Sequence, residues 1–263
     1  MIQNQLLTGL TALITRPRGQ GQSIVDAIAG AGGKSVQFPL MEINPVSSDE
    51  SVIELRKQVQ NLDRYDLLIF ISTNAVKFGF QWIDRYWPQF PAQLEVFAVG
   101  PTTAAALTGL PCTVHSPSTG MQSEDLLALP QLQQVQGNKI ALFRGRGGRE
   151  LLADTLRERG AQVDTIETYE RSMLVPETGE LLNSISENGV NVICVTSMQI
   201  LDSLCHLVDI KKDGIGLLPL LVPSERIRDN ARTAGFVNVY CSYGASDEAI
   251  LSELKEIAGY LSS

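Results

Sequence analysis

Ile140-Ala141-Leu142-Phe143-Arg144-Gly145-Arg146-Gly147-Gly148-Arg149 leads into a helical run that stops at Gly160, and Ala161-Gln162-Val163-Asp164-Thr165-Ile166 follows. The same grammar stands earlier in the chain. Ala12-Leu13-Ile14-Thr15-Arg16-Pro17-Arg18-Gly19-Gln20-Gly21 leads through a helical run to Gly32, and Gly33-Lys34-Ser35-Val36-Gln37-Phe38 follows. Arg16 falls on Arg144 and Gly32 on Gly160. In each copy an apolar run stops at an arginine in a glycine-containing turn, a helix follows, and a second apolar run begins after glycine. That is a βαβ unit, and two of them predict two similar lobes.

Beyond these copies, strand-like and helix-like runs alternate to the C-terminus. Asp66–Ile71, Glu95–Val99, Val190–Val195, Leu217–Val222 and Phe236–Tyr240 read as strands. A short strand is expected at Cys112–His115. Ser51–Leu62, Asn74–Tyr86, Pro101–Leu107, Pro176–Glu187, Met198–Val208, Glu225–Ala234 and Asp247–Leu261 read as helices, as does Ser123–Leu129 with Ser123 as its N-cap. Phe38–Pro45 and Glu167–Arg171 read as extended connectors, the first bounded by prolines. This alternation predicts an α/β fold in which each lobe is a parallel sheet flanked by helices. Leu67–Ser72 matches Val192–Ser197, and Glu95–Thr102 loosely matches Leu218–Ser224, which extends the duplication.

Composition narrows the function classes. The 263 residues suffice for one large domain or two of about 130, and 44% are hydrophobic. A net charge of −8 opposes a general nucleic-acid binder, while a local arginine cluster still permits an anionic small ligand. The four cysteines, Cys112, Cys194, Cys205 and Cys241, show no metal-ligand spacing. No apolar run is long enough for a membrane span. No signal peptide is read at Met1–Leu10, so the expected compartment is the reducing cytoplasm. No long heptad appears, and a monomer is expected.

Strand ends carry the candidate chemistry. Ser72-Thr73-Asn74, Gly100 with Thr102-Thr103, Thr196-Ser197 and Ser224 all stand where an apolar run gives way to a helix. Helix capping alone favours such residues. Ligands of open parallel sheets also bind at these carboxyl ends, where helix N-termini offer free N–H groups. Arg16, Arg144, Gly145 and Arg149 lie at the same edge, where a guanidinium fork suits carboxylates or phosphates and glycine admits an anion to the backbone. Arg16 and Arg144 read equally well as solvated surface charge. Gly145-Arg146-Gly147 lacks the third glycine of a dinucleotide fingerprint, and Gly33-Lys34-Ser35 lacks the first glycine of a phosphate loop. Tyr169 falls in a connector outside either core, either as a hinge wedge or as a phenol able to donate a proton. His115 and His206 support neither metal binding nor histidine catalysis.

Taken together, Leu13–Pro17, Phe70–Val76, Ala98–Ala104, Phe143-Arg144-Gly145 with Glu167–Arg171, Val195-Thr196-Ser197 and Ala231–Phe236 make the chain resemble the uroporphyrinogen-III synthase family along nearly its whole length. It departs from that family where Thr73 replaces a common proline and at Val222-Pro223-Ser224-Glu225. The resemblance implies two α/β lobes joined by a two-stranded connector. Residues 1–38 and 172–263 would form one lobe and 42–168 the other, with crossings at 39–41 and 169–171. It implies a linear tetrapyrrole substrate, hydroxymethylbilane, cyclised with loss of water and inversion of the terminal ring, with no cofactor and no metal. Substrate contacts would come from the strand-end residues above, in a cleft between the lobes. Tyr169 would be the acid, and hand-over from the enzyme that makes hydroxymethylbilane is a further expectation. A non-catalytic two-lobe binder of an organic polyanion is the alternative. A sugar-phosphate enzyme is a third reading, disfavoured by the missing phosphate loops.

Overall fold

A computed structural model of the chain describes residues 6–91, 93–118, 120, 122–148 and 150–261. In chain order the first elements are β1 (Thr11–Ile14), α1 (Gln22–Gly30), β2 (Lys34–Gln37), β3 (Met41–Pro45), α2 (Asp49–Gln60) and β4 (Leu67–Phe70). Next come α3 (Thr73–Tyr86), β5 (Glu95–Ala98), α4 (Pro101–Ala105), β6 (Val114–His115), α5 (Ser123–Leu127) and α6 (Pro130–Gln133). Then follow β7 (Lys139–Gly145), α7 (Leu151–Glu158), β8 (Gln162–Met173), α8 (Glu180–Glu187), β9 (Val192–Cys194) and α9 (Met198–Leu207). The chain closes with β10 (Leu220–Val222), α10 (Glu225–Ala234), β11 (Val239–Cys241) and α11 (Asp247–Leu261).

The chain divides into two compact units, Met1–Ile43 with Ser172–Ser263 and Asn44–Arg171. The first holds a five-stranded sheet of order β2-β1-β9-β10-β11, parallel throughout. Side chains of a strand alternate between faces, and two cores result. Leu13, Ile193, Leu220 and Val222 face Leu181, Ile200, Leu204 and Ile227 of α8, α9 and α10. Their neighbours Ala12, Ile14, Val192, Cys194 and Leu221 face Ile24, Ile28, Ile250 and Leu254 of α1 and α11. Burial on both faces explains why these strands read as continuous apolar runs.

The second unit is built on a six-stranded sheet of order β3-β8-β7-β4-β5-β6. From β8 to β6 the strands are parallel. Ile69, Phe97, Ile140 and Leu142 pack against Leu126, Leu132, Leu152 and Leu156 from α5, α6 and α7. On the other face Phe70 stacks on Phe143 at 4.6 Å and on Phe80 of α3 at 5.7 Å. The order β8-β7-β4-β5-β6 repeats β2-β1-β9-β10-β11, so β7 stands for β1 and β4 for β9. The duplication read from the sequence is thus present in strand order.

Several local expectations are corrected. From Met41 onward the proline-bounded connector is a strand, β3, at the edge of its sheet, where Pro45 has no ladder bond to lose. Glu167–Arg171 lies inside the twelve-residue β8. Hydrogen bonds from Leu174 N to Leu40 O and from Val46 N to Thr168 O make β3 and β8 antiparallel. The chain therefore passes from one unit to the other within strands. The cap of α5 is Gln122, not Ser123; its N–H donates to Asp125 at 2.9 Å. The helix expected from Pro176 begins at Glu180, after Gly179 in the left-handed region, and the last strand starts at Val239 rather than Phe236.

Candidate active site

In a sheet of this order, ligands bind beyond the strand ends where the order reverses. In the second unit that point lies between β7 and β4. Ser72 follows β4 and is the N-cap of α3, accepting the Ala75 N–H at 3.0 Å. Three local features bring Tyr169 beneath it. The β7–β8 register slips by one residue between Arg144 and Gly145, so Tyr169 rather than Thr168 lies across from Gly145. Gly145 leaves room, since a Cβ there would sit 2.5 Å from the phenol ring. Phe78 of α3 stacks on the ring at 5.7 Å.

The expectation that Tyr169 lies outside both cores is therefore corrected: it is 1% exposed, among the largest fully buried side chains. Its Oη is 3.0 Å from Ser72 Oγ and accepts from Arg171 Nη2 at 3.2 Å. The Arg171 guanidinium lies 5.3 Å from the ring centroid, a cation–π distance. Arg171 was not singled out from the sequence. Its spacing of two from Tyr169 on a strand, which puts both on one face, was the available signal.

Arg144 ends the same strand as Gly145 but does not project into solvent. It is 2% exposed, donates to Glu150 at 2.8 Å and to the Gly145 carbonyl at 3.3 Å, and keeps Nη2 buried without a hydrogen-bond partner. Gly148 passes so close that a Cβ would meet this Nη2 at 2.7 Å. The reading of Arg144 as a solvated surface charge is overturned, because the Gly145–Gly148 turn folds over it. Arg146, by contrast, is exposed and tied to Glu167, Glu170 and Ser51. Arg149 lies outside the described residues. Thr73 and Thr102 are exposed in the first turns of α3 and α4, Asn74 is half-buried, Gly100 is the buried N-cap of α4, and Thr103 is buried.

In the first unit the order reverses between β1 and β9. Arg16 follows β1 and is held by Asp247 at the start of α11 and by the Ala245 carbonyl at 2.8 Å. Thr15 donates to the Cys194 carbonyl at 2.6 Å. Thr196 and Ser197 follow β9, and Ser197 caps α9 by accepting the Ile200 N–H at 3.3 Å. Ser224 begins α10 without a side-chain cap bond. Tyr243 lies past β11. It is 76% exposed with φ of 52°, the left-handed region, and a hydrogen bond to Glu225 raises its pKa.

An acidic cavity elsewhere suits a polyanion poorly. It lies in the first unit, holds about 470 Å³, and is lined by Glu177, Glu180 and Glu187 with no Lys or Arg. Among the described residues, no group of three or more His, Cys, Asp or Glu is placed to hold a metal ion, and no helix is long and apolar enough to cross a membrane.

Comparison with known proteins bears on the whole length. A family model described as "Uroporphyrinogen-III synthase HemD" matches residues 22–252. The uroporphyrinogen-III synthase of Escherichia coli (strain K12) is 33% identical over 252 residues, covering 94% of this chain and all of that protein. The fold is similar to that of a mutant uroporphyrinogen III synthase from the extremely thermophilic bacterium Thermus thermophilus, with a TM-score of 0.62 at 20% identity, covering 97% of this chain and 99% of the other. Uroporphyrinogen-III synthetase from Helicobacter pylori 26695 gives a TM-score of 0.59 at 13% identity, covering 96% and 99%.

Proposed function

The chain belongs to the uroporphyrinogen-III synthase family, and from that premise we propose how its residues carry the reaction. The enzyme closes hydroxymethylbilane to uroporphyrinogen III with loss of water and inversion of the terminal ring, a step of tetrapyrrole biosynthesis. Binding without turnover, the alternative, is not favoured by this membership.

The observation that carries the residue-level reading is the Ser72–Tyr169–Gly145 arrangement at the β7/β4 reversal, a proton donor placed where sheets of this order take ligands. The substrate is a polycarboxylate. The positive ends of the helices that start near Ser72, Thr73, Asn74, Gly100, Thr102 and Thr103 suit its carboxylates in the second unit. Thr196, Ser197 and Ser224 offer the same in the first. Arg16, Arg144, Gly145 and Arg149 complete the proposed contacts. Arg16 and Arg144 already hold Asp247 and Glu150, so a substrate carboxylate competes with these internal anions. Tyr169 is the acid from which the proton that turns the departing hydroxide into water is drawn.

Holding the ends of a linear substrate together is worth at most about 7–11 kcal/mol of barrier, and general acid assistance about 10²–10⁴-fold. Positioning is thus the larger contribution, and it decides which isomer forms. The proposed setting is the cytoplasm, with the substrate handed over by the enzyme that makes it. Purified protein given freshly made hydroxymethylbilane is expected to yield the type III isomer. Only the type I isomer, the product of unassisted closure, would overturn the reading.

A further inference from the structure

We propose that Ser72, not Tyr169, is the group that touches the leaving hydroxyl, and that Tyr169 resupplies its proton from behind while Arg171 steadies the resulting phenolate. The proposal rests on the enzyme reading above and refines its acid. Tyr169 is 1% exposed, so its phenol cannot meet a substrate directly. Ser72, 3.0 Å from that phenol, is half-buried at the rim.

Hydrogen-bond bookkeeping sets the direction. An arginine side chain only donates, so Arg171 Nη2 takes a lone pair of Tyr169 Oη at 3.2 Å. If Ser72 also donated to Oη, the buried phenol hydrogen would have no acceptor, which is costly. The phenol therefore donates to Ser72 Oγ. Ser72 Oγ also accepts the Ala75 N–H at 3.0 Å. Both its lone pairs are then occupied, and its own hydrogen remains to offer to an arriving group. This makes Ser72 a hydroxyl that can only donate.

The substrate C–O bond breaks with its electron pair leaving on oxygen, and that oxygen takes the Ser72 proton to become water. The Tyr169 proton moves to Ser72 Oγ. Negative charge comes to rest on Tyr169 Oη beside the Arg171 guanidinium, and the bilane keeps a cationic terminal carbon. The cationic carbon bonds to the bridge-bearing α-carbon of the terminal ring, the old bridge bond of that ring breaks and is re-made at its other α-carbon, and the proton that this second carbon gives up returns through Ser72 to the phenolate. The protein ends unchanged and one water has been lost. Arg171 acts through Tyr169 and is a positioning residue.

The test compares hydroxymethylbilane with its acetoxymethyl analogue, whose acetate leaves without a proton. On hydroxymethylbilane, Tyr169→Phe and Ser72→Ala are expected to lower kcat about 10²-fold. Arg171→Gln is expected to lower it about tenfold. Ser72→Thr and Arg171→Lys should recover most of what Ser72→Ala and Arg171→Gln lose. On the acetoxymethyl substrate all these losses should vanish. Equal losses on both substrates would make the three residues merely structural and overturn the relay. Full activity of Ser72→Ala beside an impaired Tyr169→Phe would overturn the role of Ser72. If Ser72→Ala does not fold, Ser72→Gly, which also lacks the hydroxyl but is well tolerated at an N-cap, decides between these outcomes in its place. Wild-type enzyme forming only the type I isomer would instead defeat the enzyme reading, which separates the two failures.

Discussion

The two units share one strand order, yet their rims are furnished differently. In the first, Arg16 is secured by Asp247 of α11, Ser197 caps a helix, and Pro17 and Met41 stand at the positions that repeat as Gly145 and Tyr169. Met41 is simply core. In the second, glycine replaces proline, tyrosine replaces methionine, and the capping serine acquires a phenol behind it. On the proposed reading both rims hold anions, and these two exchanges let only the second also move a proton.

The contrast can be broken most forcefully at Gly145. Gly145→Ala must push the Tyr169 ring aside, and we expect about 1–3 kcal/mol of lost stability with activity reduced by about 10²-fold. Pro17→Ala at the matching position should leave turnover near wild type. Thermal unfolding and an isomer assay on both variants would check this, and a fully active Gly145→Ala would remove the phenol from the chemistry.

The two arginines give the next effect. Arg16→Leu strips charged hydrogen bonds from Asp247 and Ala245, and should cost about 1–3 kcal/mol in denaturant titration. Arg144→Met removes a buried cation with one unpaired nitrogen, while its partner Glu150 is more than half exposed and can turn to water. That change should cost less than Arg16→Leu or even stabilise. The reverse ranking would mean that the first rim does not depend on its ion pair.

Ser72→Ala and Ser197→Ala should each cost about 1 kcal/mol, the loss of an N-cap. Only the first should also depress kcat; the second should raise KM alone. Equal kinetic damage would erase the difference between the rims.

The smallest effect is a pH dependence set by a buried thiol of the first unit. Burial pushes the Cys194 thiol up from 9.0 to about 12. Above pH 9 the unfolded thiol ionises while the native one stays protonated, so this contribution to stability is intact below pH 9 and is lost as pH rises toward 12. The slope is at most about 1.4 kcal/mol per pH unit. Cys194→Ala should lessen the fall in stability between pH 9 and 10, leaving the part that Cys112 and Cys205, also raised by burial, contribute. There the second unit's Tyr65, raised by burial and by Asp164 from 10.0, does not yet contribute. An unchanged slope would refute the assignment.

Much of the frame was legible because it depends on local pattern. Apolar runs ending in serine or arginine and glycines closing helices marked most of the elements, and α10 and α11 begin and end where their periodicity does. What escaped depends on partners far away in sequence. Arg16 read as an available anion-binding group because Asp247, 231 positions on, leaves no trace near it. Tyr169 read as lying outside both cores because neither a one-residue register slip nor the space left by Gly145 shows in a pattern of apolar residues. β3 was hidden by the prolines that flank it, which an edge strand tolerates.

The first unit's sheet has a timetable as well as a shape. Its β1 pairs with β9, and the Thr11 N–H reaches Asn191 across 180 positions. At about 5–20 residues per second, a ribosome needs on the order of ten seconds to deliver that neighbour. Meanwhile Asn44–Arg171 is complete and free to fold, while Leu13, Ile14, Ile24 and Ile28 wait without most of their core. The interval offers chaperones a client with a greasy, half-finished amino-terminal segment, and slow codons after position 171 would lengthen its exposure.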